Sequence, residues 1–140
     1  MKAHHTKDKG DIGVFKAQAD LAEKGWLILK PQTEHAPFDL VIYKDGIFKK
    51  VQVKFRSIGK TGAVEVKFLN YWSNKQGTHS QPIEITEIDI VCIYCPEIDK
   101  CCYISSSEIT KGLGLCLRVN APKNNQKDGV KLFIDYLQVP

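Results

Sequence analysis

Residues 37–54, PFDLVIYKDGIFKKVQVK, hold two β-rich apolar runs on either side of Asp45-Gly46. Asp-Gly is the dipeptide that accepts positive φ at both central positions of a two-residue turn, so the spacing predicts a β-hairpin with strands over Phe38 to Tyr43 and Ile47 to Phe55. Asp39 opens the first strand and Lys54 closes the second. Asp39 stands six residues before Asp45 and Lys54 eight after Gly46, so a bulge or modest twist brings both near one end of the hairpin. Along the second strand Val51 and Val53 point one way, into a core, and Gln52 and Lys54 share the other face.

Outward from the hairpin, Ile12, Phe15, Ala19 and Ala22 recur at intervals of three and four, which predicts an amphipathic helix over Lys9 to Lys24 with Gly25 as its stop. Trp26 to Leu29 is a short strand ended by Pro31. On the other side Ala63 to Leu69 alternates and is expected as a third strand of the meander. Residues 70–87 show neither period and are expected as a long irregular excursion. Ile88 to Tyr94 is a nearly continuous apolar run, a buried strand, with Tyr103-Ile104 returning beside it after the turn PEIDK. SSSEIT offers helix-capping residues for one or two turns, and Leu115 to Val119 is a last strand before the polar loop NAPKNNQKDG. The expectation is one α/β domain over residues 1–140, with a mixed, partly antiparallel sheet and the first helix on one face.

The chain's 140 residues, 43% hydrophobic and 26% charged, are enough to bury a core without disulfides or a structural metal. No apolar run approaches the ~20 residues of a spanning helix, and the polar start MKAHHTKDKGD lacks the apolar core of a secretory leader, so a cytoplasmic location is expected. Five cysteines are an odd number, which argues for reduced thiols. Cys92-x-x-Cys95 has zinc-ligand spacing, but positions three apart on a strand face opposite ways. The net charge of +4 is uneven: residues 1–60 hold twelve Lys or Arg against seven Asp or Glu, and 61–140 hold eight against nine. The basic excess surrounds the hairpin, where a polyanion would approach.

Asp39 offers an oxygen ligand for a divalent cation such as Mg²⁺ or Mn²⁺, and Lys54 a cation for a scissile phosphate or, if burial lowers its pKa, help in deprotonating water. The Gln52 side-chain carbonyl reaches the ion held by Asp39, and the backbone carbonyl of Val53 completes the set. These are the parts of metal-dependent phosphodiester hydrolysis.

PFDLVI followed by VQVKFRS resembles the PD-(D/E)XK (restriction-endonuclease-like) superfamily, with Gln52 where an acid is usual. More narrowly, KGDIGVFKAQADLAEKGW, TEHAPFDLVIYKDG, VQVKFRS and RVNAPKNNQ resemble the homing endonucleases encoded in bacterial group I introns. The resemblance implies a mixed central sheet with flanking helices, a divalent ion on Asp39 and Gln52, Lys54 as catalytic lysine, and Arg56 and Ser57 flanking the phosphate. Resolvase-like relatives carry a first-helix glutamate where this chain has Val14, and Asp11, about one turn earlier, is the candidate replacement.

For DNA contact the sequence offers Lys60 and Arg56 beside the site, the cluster Lys123, Asn124, Asn125, Gln126 and Lys127, and the N-terminal Lys2, His4, His5 and Lys7. Trp26 and Trp72 read as core and loop anchors. A domain of this size covers too little duplex for a rare site, so a homo-oligomer, dimer or tetramer, acting on double-stranded DNA is expected. The competing readings are a Holliday-junction resolvase, a restriction-type endonuclease and an inactive DNA-binding module.

Overall fold

The structure, a computed structural model, describes residues 5–67, 69–82, 85–109, 114–120 and 130–140, with the backbone alone for 69–73 and 80–82. It opens with helix α1, His5–Glu23, and continues through β1 (Leu27–Leu29), β2 (Leu40–Lys44), β3 (Ile47–Phe55), β4 (Ala63–Val66), β5 (Leu69–Asn74), β6 (Gly77–Pro82), β7 (Ile90–Cys95), β8 (Lys100–Ser105) and β9 (Leu115–Arg118). Short 3₁₀ turns lie at Ile85–Glu87, Ser106–Glu108 and Phe133–Tyr136.

Five strands form the central sheet in the order β1-β2-β3-β7-β8. All neighbours are antiparallel except β3 and β7, which run parallel. The hairpin is as tight as its sequence predicts: Lys44 pairs with Ile47, and Asp45 and Gly46 have φ of 51° and 84°. Both central residues are left-handed, the geometry that matches the twist of the flanking strands.

Period-two alternation sorts this sheet into two apolar layers. Leu40, Ile42, Val51, Ile90, Cys92, Tyr103 and the helix residues Ala17 and Leu21 pack on one side. Val91, Ile93, Cys95, Cys102, Ile104 and Phe133 pack on the other, beneath Val64 and Val66 of β4 and Leu115 and Leu117 of β9. Strand β7 is buried at every position, which explains its unbroken apolar run. Each fully buried Leu, Ile or Val here contributes roughly 1.5–3 kcal/mol. Helix and sheet meet closely at Gly13, where an added Cβ would lie 3.4 Å from Phe55 Cβ and 3.6 Å from Val53 Cγ1.

Several expectations need correction. Ala63–Val66 does not extend the meander; it pairs with Leu115–Arg118 in a separate two-stranded sheet. Alternation told which face each residue takes but not which strand is its partner. Residues 70–87 are not an irregular excursion, because β5 and β6 pair along their full length as a ribbon and a 3₁₀ turn follows. Among the described residues α1 is the one α-helix, and it turns Gly13, Ala17 and Leu21 to the sheet, leaving exposed the Ile12, Phe15, Ala19 and Ala22 stripe that the three-and-four spacing had picked out. Ser106–Glu108 makes a single 3₁₀ turn, within the one or two expected, capped by Ser105 Oγ accepting from Ser107 N. No described helix is long and apolar enough to cross a membrane.

Candidate active site

The β2–β3 register runs from Lys44 opposite Ile47 to Leu40 opposite Val51. Beyond it the pairing leaves regular register, since Val51 O, opposite Leu40, takes the N–H of Asp39, the local irregularity of a bulge that brings Asp39 to the hairpin end holding Gln52 and Val53. Two hydrogen bonds hold it there: Asp39 N donates to Val51 O at 2.9 Å, and Asp39 Oδ2 accepts from Val53 N at 2.7 Å. The N–H and C=O of one strand residue point to the same side, so the Val53 carbonyl is directed toward the Asp39 edge as well. Residues Gln52 and Lys54 lie on the sheet face away from α1, level with Val91 and Ile93 of β7. Asp39, Gln52, Lys54 and the Val53 carbonyl are thus brought to one place.

Gln52 Oε1 is buried and accepts no hydrogen bond. Leaving a buried amide oxygen unsatisfied costs roughly 1–3 kcal/mol, so the position calls for a partner. Beside the Asp39 carboxylate, a hard divalent cation is the chemical match, since Mg²⁺ takes oxygen ligands from few protein groups. The donor set fits such an ion: a carboxylate, an amide oxygen and a backbone carbonyl. No group of three or more His, Cys, Asp or Glu among the described residues could hold a metal. Asp11 is accordingly not gathered into a three-acid cluster with Asp39; it is exposed on α1, the helix on the opposite sheet face.

Burial pushes the Lys54 amine below the ordinary lysine value, the Arg56 guanidinium adds to this, and the Asp39 carboxylate opposes it. No direct ion pair joins Lys54 to Asp39. A half-buried, partly desolvated amine next to an acid can shed a proton more readily than a surface lysine. Arg56 continues the strand edge, its N donating to Tyr94 O at 2.9 Å and its Nη1 to Phe55 O at 2.8 Å. Burial lowers its pKa too, although a guanidinium stays charged.

Ser57 and Lys60 follow, both exposed, in the loop that Gly59 closes by donating to Ala63 O at 2.9 Å. Glu97, on the β7–β8 turn, ties this segment down. Its carboxylate accepts from Ile58 N at 3.0 Å, from Cys95 Sγ at 3.5 Å and from the Ser57 side chain. Burial would raise its pKa, but its own backbone N–H together with these donors outweighs that and the net shift is downward. The sequence marks PEIDK as a turn; nothing local indicates that its glutamate grips a loop some forty positions earlier.

Asp89 performs a similar service for β3: its Oδ2 accepts from Lys50 N at 2.8 Å and its own N donates to Lys50 O at 2.9 Å.

Lys7 is exposed on α1 with His5, and Trp26 is half-buried against the helix-side core. Lys2, His4, Lys123, Asn124, Asn125, Gln126 and Lys127 lie outside the described residues, and Trp72 is described in backbone alone. Cys92 and Cys95 belong to opposite core layers and are free thiols, so they do not form half of a zinc site. A cavity of about 300 Å³ between α1 and β8 is lined by Lys16, Asp20, Lys24, Tyr94 and Asp99. Two of its lysines are already paired, Lys16 to Asp99 at 2.9 Å and Lys24 to Asp20 at 3.4 Å, and it lies on the side of the sheet away from Gln52 and Lys54.

Residues 4–139 match the PD-(D/E)XK endonuclease family. The fold is similar to the solved structure of a bacterial homing endonuclease, I-Ssp6803I, with a TM-score of 0.77 and 27% sequence identity over 94% of this chain and 87% of that one. No curated protein is significantly similar to the chain.

Proposed function

Because the chain belongs to the PD-(D/E)XK endonuclease family, we propose that it is a site-specific homing endonuclease that makes double-strand breaks in a long DNA target by metal-dependent phosphodiester hydrolysis. The observation that carries this reading is the grouping of Asp39, the orphaned Gln52 Oε1 and the desolvated Lys54 on one sheet face. The likeness to a bacterial homing endonuclease over nearly the whole chain supports the finer assignment.

In this reading Asp39, Gln52 and the Val53 carbonyl hold Mg²⁺ or Mn²⁺. The ion supplies Lewis-acid neutralisation of the phosphate's charge. Lys54 sits beside the scissile phosphate, where its lowered pKa lets it take the proton of an attacking water or, charged, offset negative charge developing on the phosphoryl oxygens. Arg56 and Ser57 orient the phosphate, and Lys60 and Lys7 contact flanking backbone. Lys123, Asn124, Asn125 and Lys127 are further candidates for DNA contact. Two sites related by a twofold cut the two strands, which makes the working enzyme a homo-oligomer, dimer or tetramer. We place that activity in the cytoplasm.

The test is cleavage of a pool of linear duplexes containing uninterrupted intron-insertion loci, beside a four-way junction, in Mg²⁺ and in EDTA. The expected result is Mg²⁺-dependent double-strand cutting at one long linear site, lost in Asp39→Ala and Lys54→Ala. Junction-selective cutting would point to a resolvase. Tight binding without metal-dependent cutting would overturn the enzyme reading.

A further inference from the structure

Strands β5 and β6 pair at all six positions from Leu69 opposite Pro82 to Asn74 opposite Gly77, with Lys75 and Gln76 as a two-residue tip. They form a sheet of their own, and among the described residues no third strand covers either edge. A two-stranded ribbon alone is marginally stable in water, so one retained in a fold calls for a partner along its length.

The ribbon's roots place it at the candidate active site. β4, which precedes it, buries Val64 and Val66 in the core layer on the sheet face shared by Gln52 and Lys54, and Ile85 and Ile88, which follow it, pack into the same layer. Asp89 then bonds Lys50 in both directions, two residues before Gln52. Both ends of the ribbon therefore arise from the face that holds the site.

Its chemistry is that of a base reader. Residues 66–83 contain no Asp or Glu, in a chain with 16 of them, and carry Lys67 and Lys75. The register pairs Asn70 with Gln81, Trp72 with His79 and Asn74 with Gly77. The tip is preorganised: Asn74 Oδ1 accepts from Gln76 N at 2.9 Å and stands 2.9 Å from His79 Nε2, while Gly77 takes a φ of 119°. Lys75 and Gln76 are exposed there.

We propose that the β5–β6 ribbon lies in the major groove of the duplex cut at Asp39, Gln52 and Lys54, with Gln76 reading base edges at its tip and Lys75 contacting phosphate. This rests on the endonuclease reading given above. The dimensions agree: six residue pairs span about 20 Å, or about six base pairs, and a groove about 12 Å wide admits a two-stranded ribbon. The lack of acid suits a polyanion, and the exposed Gln76 amide at the tip suits an adenine edge.

The test uses the full-length protein and a randomised linear duplex library, selecting bound sequences in EDTA and cut sequences in Mg²⁺, for wild type, Gln76→Ala and Lys75→Ala. Gln76→Ala is expected to relax preference within one block of about six base pairs, by roughly 5- to 150-fold at the contacted base. Lys75→Ala is expected to weaken binding evenly across sequences and to lower the salt slope by about one. An unchanged site preference in Gln76→Ala together with an unchanged salt slope in Lys75→Ala overturns the ribbon's role while leaving the endonuclease reading intact. A changed sedimentation mass with unchanged preference overturns it in favour of a subunit interface. A wild type that neither retains nor cuts any duplex overturns both readings.

Discussion

The Asp39 carboxylate is fastened to the backbone of the strand opposite, its Oδ2 accepting from Val53 N at 2.7 Å. One side chain thus orients itself and satisfies the strand just past the end of the β2 ladder, and its other oxygen makes no hydrogen bond among the described residues. Asp39→Asn keeps an acceptor for Val53 N but removes the charge. It is expected to unfold near the wild-type temperature and to cut at least roughly 10³-fold more slowly, given the several kcal/mol a bound cation supplies. Asp39→Ala should lose the same activity and in addition about 1 kcal/mol of stability. Thermal melts beside cleavage rates separate the two effects.

Gln52 Oε1, buried and without a partner, should make function and stability move in opposite directions. Gln52→Leu removes the orphaned oxygen and is expected to gain about 1 kcal/mol in the metal-free protein while cleaving far more slowly. Gln52→Glu sets a second carboxylate at the hairpin end that holds Asp39, so it should melt lower in EDTA and be rescued more strongly by Mg²⁺ than the wild type. If Mg²⁺ raises the melting temperature of neither protein, Gln52 is not a ligand position.

Lys54 is depressed by burial first and by Arg56 second, against the pull of Asp39. At pH values below its folded pKa both folded and unfolded chains hold the proton, and the cost of burying the charge is fully present. Between the folded pKa and the ordinary value of 10.5 the unfolded chain binds more protons, so stability rises with pH through that window. Lys54→Met should lose this rise and be the more stable protein at neutral pH, as read by urea unfolding in EDTA from pH 6 to 10. An identical pH slope in both proteins would refute the assignment.

At Gly13 an added methyl would meet Phe55 Cβ at 3.4 Å and Val53 Cγ1 at 3.6 Å, the edge of ordinary contact. Gly13→Ala is expected to be accepted and to gain up to about 1 kcal/mol from helix propensity. Gly13→Val overpacks the same contact and should cost about 1–3 kcal/mol. Chemical denaturation of both variants measures the difference.

Glu97 holds Ser57 and Ile58 after the strand that carries Lys54. Glu97→Ala should slow cleavage roughly 10-fold, mostly in kcat, because a small misplacement of a phosphate-contacting group is costly. Glu97→Gln retains an acceptor for Ile58 N and should recover most of the rate. Equal losses in both would mean that the charge, not the tether, is what matters.

The central hairpin, its turn type, the face shared by Gln52 and Lys54 and the existence of the first helix were legible in the sequence, whereas the stripe that helix buries, Gly13, Ala17 and Leu21 rather than Ile12, Phe15, Ala19 and Ala22, was not. Each depends on contacts within a few residues or on a short period, Asp-Gly for the turn, two for the strand, three to four for the helix. The same alternation already set Cys92 and Cys95 on opposite faces. What only tertiary structure decided was non-local. β4 found its partner in β9 rather than in the meander, the acid-free stretch folded on itself as a ribbon, and Glu97 reached back to Ser57 and Ile58. Gln52 Oε1 acquired its meaning in the same way, since a glutamine in a strand becomes an unsatisfied oxygen only when neighbouring layers bury it. Face and turn are properties of the local chain; partner choice and burial depend on the free energy of the packed whole, and no short window of sequence encodes them.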